Sequence, residues 1–124
     1  MDAVEKVSVL RVAYRRFGNR DVEGLLAMMT PDVEWPDVAN AVVLQGPEAV
    51  RPYWVAQFAV ADPRVEPTDF LAAGDDVVAV VRQQVFAHDG QPLTEATTVY
   101  HRYSFRGDLV SRMVVFEDRA AATA

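Results

Sequence analysis

The feature that most constrains this chain is a change of hydrophobic period near its middle. Up to Pro63 apolar residues recur at steps of three and four, whereas beyond it long segments alternate with a period of two, separated by Asp- and Gly-bearing turns. Ala3, Val7, Leu10, Tyr14 and Phe17 mark a first helix from about Ala3 to Phe17, opened by Asp2 and Glu5 as a capping box. Gly18-Asn19-Arg20-Asp21 breaks it and offers Asn19 or Asp21 as the cap of a second helix, Val22 to Met29, which Thr30-Pro31 stops. After a short strand around Glu34, Gly46-Pro47 opens a third helix that ends at Pro63; Pro52 inside it predicts a kink or restart. Strands are expected over Arg64 to Ala72, Val77 to His88, Leu93 to Phe105 and Leu109 to Glu117, with Pro67 marking an edge. Helices first and an antiparallel sheet afterwards specify an α+β fold. The 124 residues fit one domain, residues 1–119, with residues 120–124 expected as a flexible tail.

Composition narrows the function classes. There is no cysteine, which excludes disulfides, thiolate metal sites and a cysteine nucleophile, and only His88 and His101 could serve a histidine metal centre. No cofactor and no metal are expected. The formal net charge is -6 and the basic residues are scattered, so nucleic acid is not an expected partner. No stretch is long enough to cross a membrane, and the acidic start Met1-Asp2-Ala3-Val4-Glu5 is unlike an export signal, so a cytoplasmic location is the expectation. A small, largely apolar molecule is the partner that fits.

Two ionisable residues stand out. Asp37 ends the run Val33-Glu34-Trp35-Pro36-Asp37, where a carboxylate among apolar neighbours is poorly hydrated and becomes a candidate general base. His101 lies in the alternating segment Thr97 to Phe105, whose geometry aims it at one face of a sheet with Val99 and Tyr103. The plainer alternatives are an Asp37 that caps a turn or pairs with Arg82 or Arg112, and a His101 that is a satisfied core residue. Trp35, Trp54, Phe58, Tyr103 and Phe116 read as core and cavity wall, Glu34 and His88 as solvated, and Tyr14 as a core residue whose hydroxyl reaches a polar partner.

Asn19-Arg20-Asp21 between two helices, the step Thr30-Pro31-Asp32-Val33-Glu34-Trp35, a helix opening Gly46-Pro47-Glu48-Ala49-Val50 and three long hairpin strands together resemble the nuclear transport factor 2-like superfamily. Within it the chain is most similar to the SnoaL-like polyketide cyclases and ketosteroid isomerases. The resemblance implies a cystatin-like, cone-shaped roll: a curved, mostly antiparallel sheet packed on three N-terminal helices around a ligand pocket. It places Asp37 where ketosteroid isomerases keep a general-base aspartate, and His101 where they hold an acid of the oxyanion hole. Their catalytic tyrosine maps to Ala13, and Tyr14, one place later, is turned by about 100° from that direction, so it stays a candidate contact but not an equivalent of their tyrosine.

Strand parity, anchored on the turn Asp89-Gly90, directs Val80, Arg82, Gln84, Phe86 and His88 inward, and Val110, Arg112, Val114 and Phe116 share a face in the last strand. Arg82, Gln84 and Arg112 thereby become candidate substrate contacts, and Tyr14 of the first helix is a further one. The opposite face, with Val81, Val85, Met113 and Val115, would be apolar and exposed, predicting a homodimer joined through the sheets. The expected activity is that of a cofactor-independent isomerase, cyclase or dehydratase in which Asp37 takes an α-proton and His101 supports the enolate. The alternatives are a non-catalytic binding or dimerisation module and, last, an epoxide hydrolase with an arginine beside Asp37.

Overall fold

A computed structural model of the chain describes residues 1–124. Helices α1 (Ala3–Gly18) and α2 (Val22–Leu26) are followed by strands β1 (Met29–Asp37) and β2 (Val42–Gln45), helix α3 (Pro47–Val60), strands β3 (Asp62–Ala73), β4 (Asp76–Phe86), β5 (Thr97–Arg106) and β6 (Leu109–Phe116), and a short helix α4 (Arg119–Thr123). The fold is α+β, with N-terminal helices packed on a six-stranded sheet of order β2-β1-β6-β5-β4-β3. Every neighbouring pair is antiparallel except β1 with β6.

Local chemistry explains the helix boundaries. The Asp2 side chain accepts the Glu5 backbone N–H at 2.8 Å, and Asp21 accepts that of Gly24 at 2.9 Å, each satisfying an otherwise unpaired N-terminal donor. Gly46 opens α3 at a φ of 82°, and an added Cβ would sit 3.2 Å from the Pro31 carbonyl oxygen, so glycine is needed there twice over. Helix α3 runs uninterrupted through Pro52, without the expected restart. Both Pro52 and Glu48, whose carbonyl loses its partner to the proline, are exposed, so water can take the freed carbonyl.

The core joins both halves of the chain. Leu10 of α1, Val33 of β1, Val50 of α3 and Val81 of β4 are fully buried in one cluster, each worth about 1.5–3 kcal/mol relative to an exposed position. A smaller cluster lies on the other face of the sheet, where Ala122 of α4 packs with Ala73 and Val78 against Leu71, Tyr100 and Phe116. The C-terminal residues expected as a loose tail are therefore folded onto the sheet. Asp118 caps α4 through the Ala121 N–H, and the Arg102 guanidinium donates to the carbonyls of Ala122 and Ala124.

Two register details decide which side chains face the helices. Strands β4 and β5 pair Gln83 with Thr97 and Ala79 with His101, so odd-numbered residues of both strands share a face. The turn expected at Asp89-Gly90 would have paired odd with even residues. The real connection is longer, since Val85 bonds Leu93 and Thr94 and β5 begins only at Thr97, and this one-residue difference reverses the faces of β4, although Gln84 near the end of the strand still reaches the cavity. In β6 an extra residue, Ser111, falls between the pairs Phe105–Val110 and Ser104–Arg112. That bulge keeps Val110 inward and then turns Met113 and Val115 inward as well. Val81, Val85, Met113 and Val115 thus face the helices, and the apolar outer surface that suggested a sheet-to-sheet homodimer is not built from them.

Candidate functional site

Between the sheet and helices α1 and α3 lies a cavity of about 740 Å³. Its wall is mainly apolar, with Phe17, Trp35, Tyr53, Trp54, Val99 and Met113 among the lining residues. Trp35 meets Trp54 edge-on at 5.2 Å between ring centroids, which gives the wall a rigid aromatic corner. The size and lining suit an organic molecule with a few polar groups. Polar side chains at its more exposed parts include Gln57, Gln83, Gln84 and Glu117.

The buried hydroxyl and imidazole groups of this lining come from three residues. His101 and Tyr103, two apart on β5, point the same way, and Tyr14 reaches them from α1. The Tyr103 hydroxyl donates to the Tyr14 oxygen at 2.9 Å, and Tyr14 Oη lies 2.8 Å from His101 Nδ1. Burial pushes the His101 imidazole down to about 4, so the ring is neutral at neutral pH. Burial also raises both tyrosines, Tyr14 further through its neighbour Tyr103, so neither ionises in the physiological range. The three side chains form one neutral hydrogen-bonded chain within an apolar wall.

Asp37 is placed differently. It ends β1 opposite Val42 and is only 6% exposed. Its carboxylate accepts the Asn40 backbone N–H at 3.2 Å and the Asn40 amide at 2.8 Å, capping the turn into β2. Pro36, Val38 and Ala39 line the cavity, but Asp37 is not among the lining residues. Its charge is felt by Tyr53, whose hydroxyl is raised first by burial and then by Asp37. The residue is buried at the cavity's edge with both oxygens engaged.

The structure brings Tyr14, Trp35, Trp54, Gln84, His101 and Tyr103 together around the cavity and leaves the other candidates outside it. Tyr14 reaches the pocket: Ala13, Tyr14 and Phe17 all line it, because the cavity spans a wide arc of α1. Arg82 is exposed on the outer face, reversed with most of β4. Arg112, turned outward by the Ser111 bulge, lies 3.4 Å from Glu34, and neither arginine bonds Asp37 as an epoxide-hydrolase site would need. Phe116 packs in the outer cluster, and Phe58 packs against Phe17 and under Arg20. His88 is exposed, as expected.

Sequence reasoning missed Met113 and Val115, which only a bulge at Ser111 would have revealed. Tyr53 and Gln57, one helical turn apart on α3, also line the cavity and were not among the candidates. No group of three His, Asp or Glu side chains converges to hold a metal ion. No helix is long and apolar enough to cross a membrane.

A family model described as a SnoaL-like domain matches residues 10–113. Among solved structures, TerC co-crystallised with polyporic acid is 25% identical, with a TM-score of 0.78 over 94% of each chain. An NTF2-like protein from Burkholderia pseudomallei is 23% identical, with a TM-score of 0.78, covering 98% of this chain and 95% of that one. Rv0760c from Mycobacterium tuberculosis, in complex with estradiol-17beta-hemisuccinate, is 17% identical, with a TM-score of 0.76 over 94% and 95%. The likeness to the last two is one of fold. No curated protein sequence matches this chain.

Proposed function

Because the chain belongs to the SnoaL-like domain family, we propose that it is a cofactor-independent acid–base enzyme acting on a largely apolar carbonyl compound of polyketide, terpenoid or steroid-like kind. The reaction is an isomerisation, cyclisation or dehydration that passes through an enol or enolate. The observation that carries this reading is the Tyr14–His101–Tyr103 chain set in the apolar wall of a cavity. Donors held in place among apolar groups stabilise a developing oxyanion far better than water does, because they need no reorganisation as charge appears. A neutral imidazole hydrogen-bonded through Nδ1 has Nε2 left for the substrate oxygen. The likeness to TerC, a protein crystallised with polyporic acid, supports an organic ligand in the equivalent space.

Asp37 is the base of this mechanism. It stands beside lining residues Pro36 and Val38, and it takes the α-proton once its carboxylate turns from Asn40 toward the cavity. The test is α-hydrogen exchange into heavy water, followed by NMR on a panel of cyclic and aryl ketones. Wild-type protein should accelerate exchange for at least one compound. Asp37→Asn should cost about a hundredfold or more and His101→Ala a similar factor. Exchange that proceeds equally in both variants removes the two residues from catalysis.

A second reading, a binding module of the same fold, draws support from the engagement of both Asp37 oxygens by Asn40. It predicts a ligand retained through purification, visible by native mass spectrometry, with no exchange above the uncatalysed rate.

A further inference from the structure

The Tyr14–His101–Tyr103 chain has a property that follows from counting its protons. Two hydroxyls and one neutral imidazole carry one mobile proton each, and the two internal hydrogen bonds, Tyr103 to Tyr14 and Tyr14 to His101 Nδ1, use two of the three. No other protein group accepts from the Tyr14 hydroxyl, so its proton stays bonded only when Tyr14 donates one of the two bonds and accepts the other, and the third proton then sits at one end. With Tyr103 donating to Tyr14 and Tyr14 donating to Nδ1, the free ends are an Nε2–H donor and the lone pairs of the Tyr103 oxygen. With the chain reversed, Nδ1–H donates to Tyr14 and Tyr14 to Tyr103, and the free ends are a bare Nε2 acceptor and a Tyr103 O–H donor. Each direction offers the cavity one donor and one acceptor, never two donors.

Both ends are available. His101 and Tyr103 line the same cavity, their ring centroids 6.2 Å apart, and no protein group other than Tyr14 bonds either side chain. Thr30 Oγ1 is the single fully sealed side-chain polar atom without a partner, so Nε2, which also lacks one, is not sealed away from the open space. The depressed pKa of the imidazole keeps a fourth proton out of the chain above about pH 4.

We infer that the cavity selects a substrate with a hydroxyl and a conjugated carbonyl on the two carbons that flank a common one, as in an enolised 1,3-dicarbonyl compound. The enol O–H meets the acceptor end and the conjugated carbonyl the donor end. A ligand bound the other way round is matched by the reversed chain. Reversal conserves protons: one leaves Nε2 and one enters the Tyr103 oxygen, exchanged with water or with the two oxygens of the ligand, while the Tyr103 and Tyr14 protons each move one link along. A simple ketone satisfies only the donor end and strands the acceptor in an apolar wall. This deepens the enzyme reading, on which it rests, because the carbon between two carbonyls is more acidic than one beside a single ketone.

The experiment compares 1-phenylbutane-1,3-dione with 1-phenylbutan-1-one, which lacks the second oxygen, by calorimetric titration of the full chain. The near-ultraviolet enol band of the dione is read in the bound state. The dione is expected to bind at least about tenfold more tightly, and as its enol. Tyr14→Phe removes the middle link, lets the two ends act independently, and should narrow the preference to about threefold or less. Tyr103→Phe, which removes one end, should narrow it too and serves if the first variant does not fold. Equal affinities, a dione bound as its diketone, or a preference unchanged in the variants overturns the inference while leaving the carbonyl-binding cavity in place. Failure of both probes to bind at millimolar concentration overturns the cavity reading and the inference together.

Discussion

The buried imidazole makes the folding stability of this protein depend on pH in a defined window. His101 is 8% exposed and bonded only to Tyr14, and burial lowers it from 6.5 to about 4. Below pH 6.5 the unfolded chain takes up a proton at this residue that the folded chain refuses until about pH 4. Stability therefore falls as pH drops through that interval and levels off beneath it. At about 1.36 kcal/mol per unit the loss comes to about 3 kcal/mol, a large share of the 5–15 kcal/mol of a domain of ordinary stability. Glu23, Asp32 and Asp62 are lowered by hydrogen bonds from Arg51, Arg106 and Arg20, and their contributions, lost as pH falls through those lowered values, are the same in wild type and in a variant changed only at His101. Urea unfolding followed by circular dichroism, at several pH values between about 7 and 4.5, measures the effect in wild type and in His101→Gln, which retains His88. The stability difference between the two proteins should change steadily across the series, with wild type losing more as the solution becomes acidic. Parallel curves would refute the argument and mean that the ring titrates in the folded state as it does in water.

Two further substitutions test the register and the C-terminal contact. Arg82→Ala, on the exposed outer face, should leave ligand affinity and α-hydrogen exchange unchanged within about twofold, whereas the sequence-based orientation of β4 would have it remove a pocket contact. Ala122→Asp places a carboxylate at a fully buried position against Ala73 and Val78, and should destabilise the protein by about 2 kcal/mol or detach α4, read as a lower urea midpoint.

The fold was legible because its signals are local. Period, caps and breakers mark α1, α3 and the four long strands, and Pro67 does lie on the edge strand β3. Strand β2, the four residues Val42–Gln45, was not visible in the sequence. Orientation was harder than existence. Which face of β4 meets the helices depends on whether its turn holds an even or odd number of unpaired residues, and that is settled by Thr94, whose hydroxyl accepts the Val85 N–H at 3.0 Å and holds the loop open. No propensity encodes such a contact, and one residue of error moved Arg82 from cavity to solvent.

The candidate site shows the same division from the other side. His101 was placed correctly because β5 alternates cleanly from Val99 to Tyr103, whereas its meaning depends on Tyr14, 87 residues away in sequence. The offset between Ala13 and Tyr14 had argued against equating the tyrosine with that of the isomerases, on the assumption that only one direction from α1 serves the site. In the structure Ala13 is too short to offer a polar group, and Tyr14, with its ring plane within 9° of that of the imidazole, brings its hydroxyl to Nδ1. A tyrosine one step along the helix therefore bonds the imidazole. This shifts the polar centre of the site from Asp37, held by Asn40 at the edge, to a neutral chain in the cavity wall. In the proposed reaction that chain meets an oxygen pair of the substrate, and the Asp37 carboxylate must leave its turn at Asn40 to reach the α-proton.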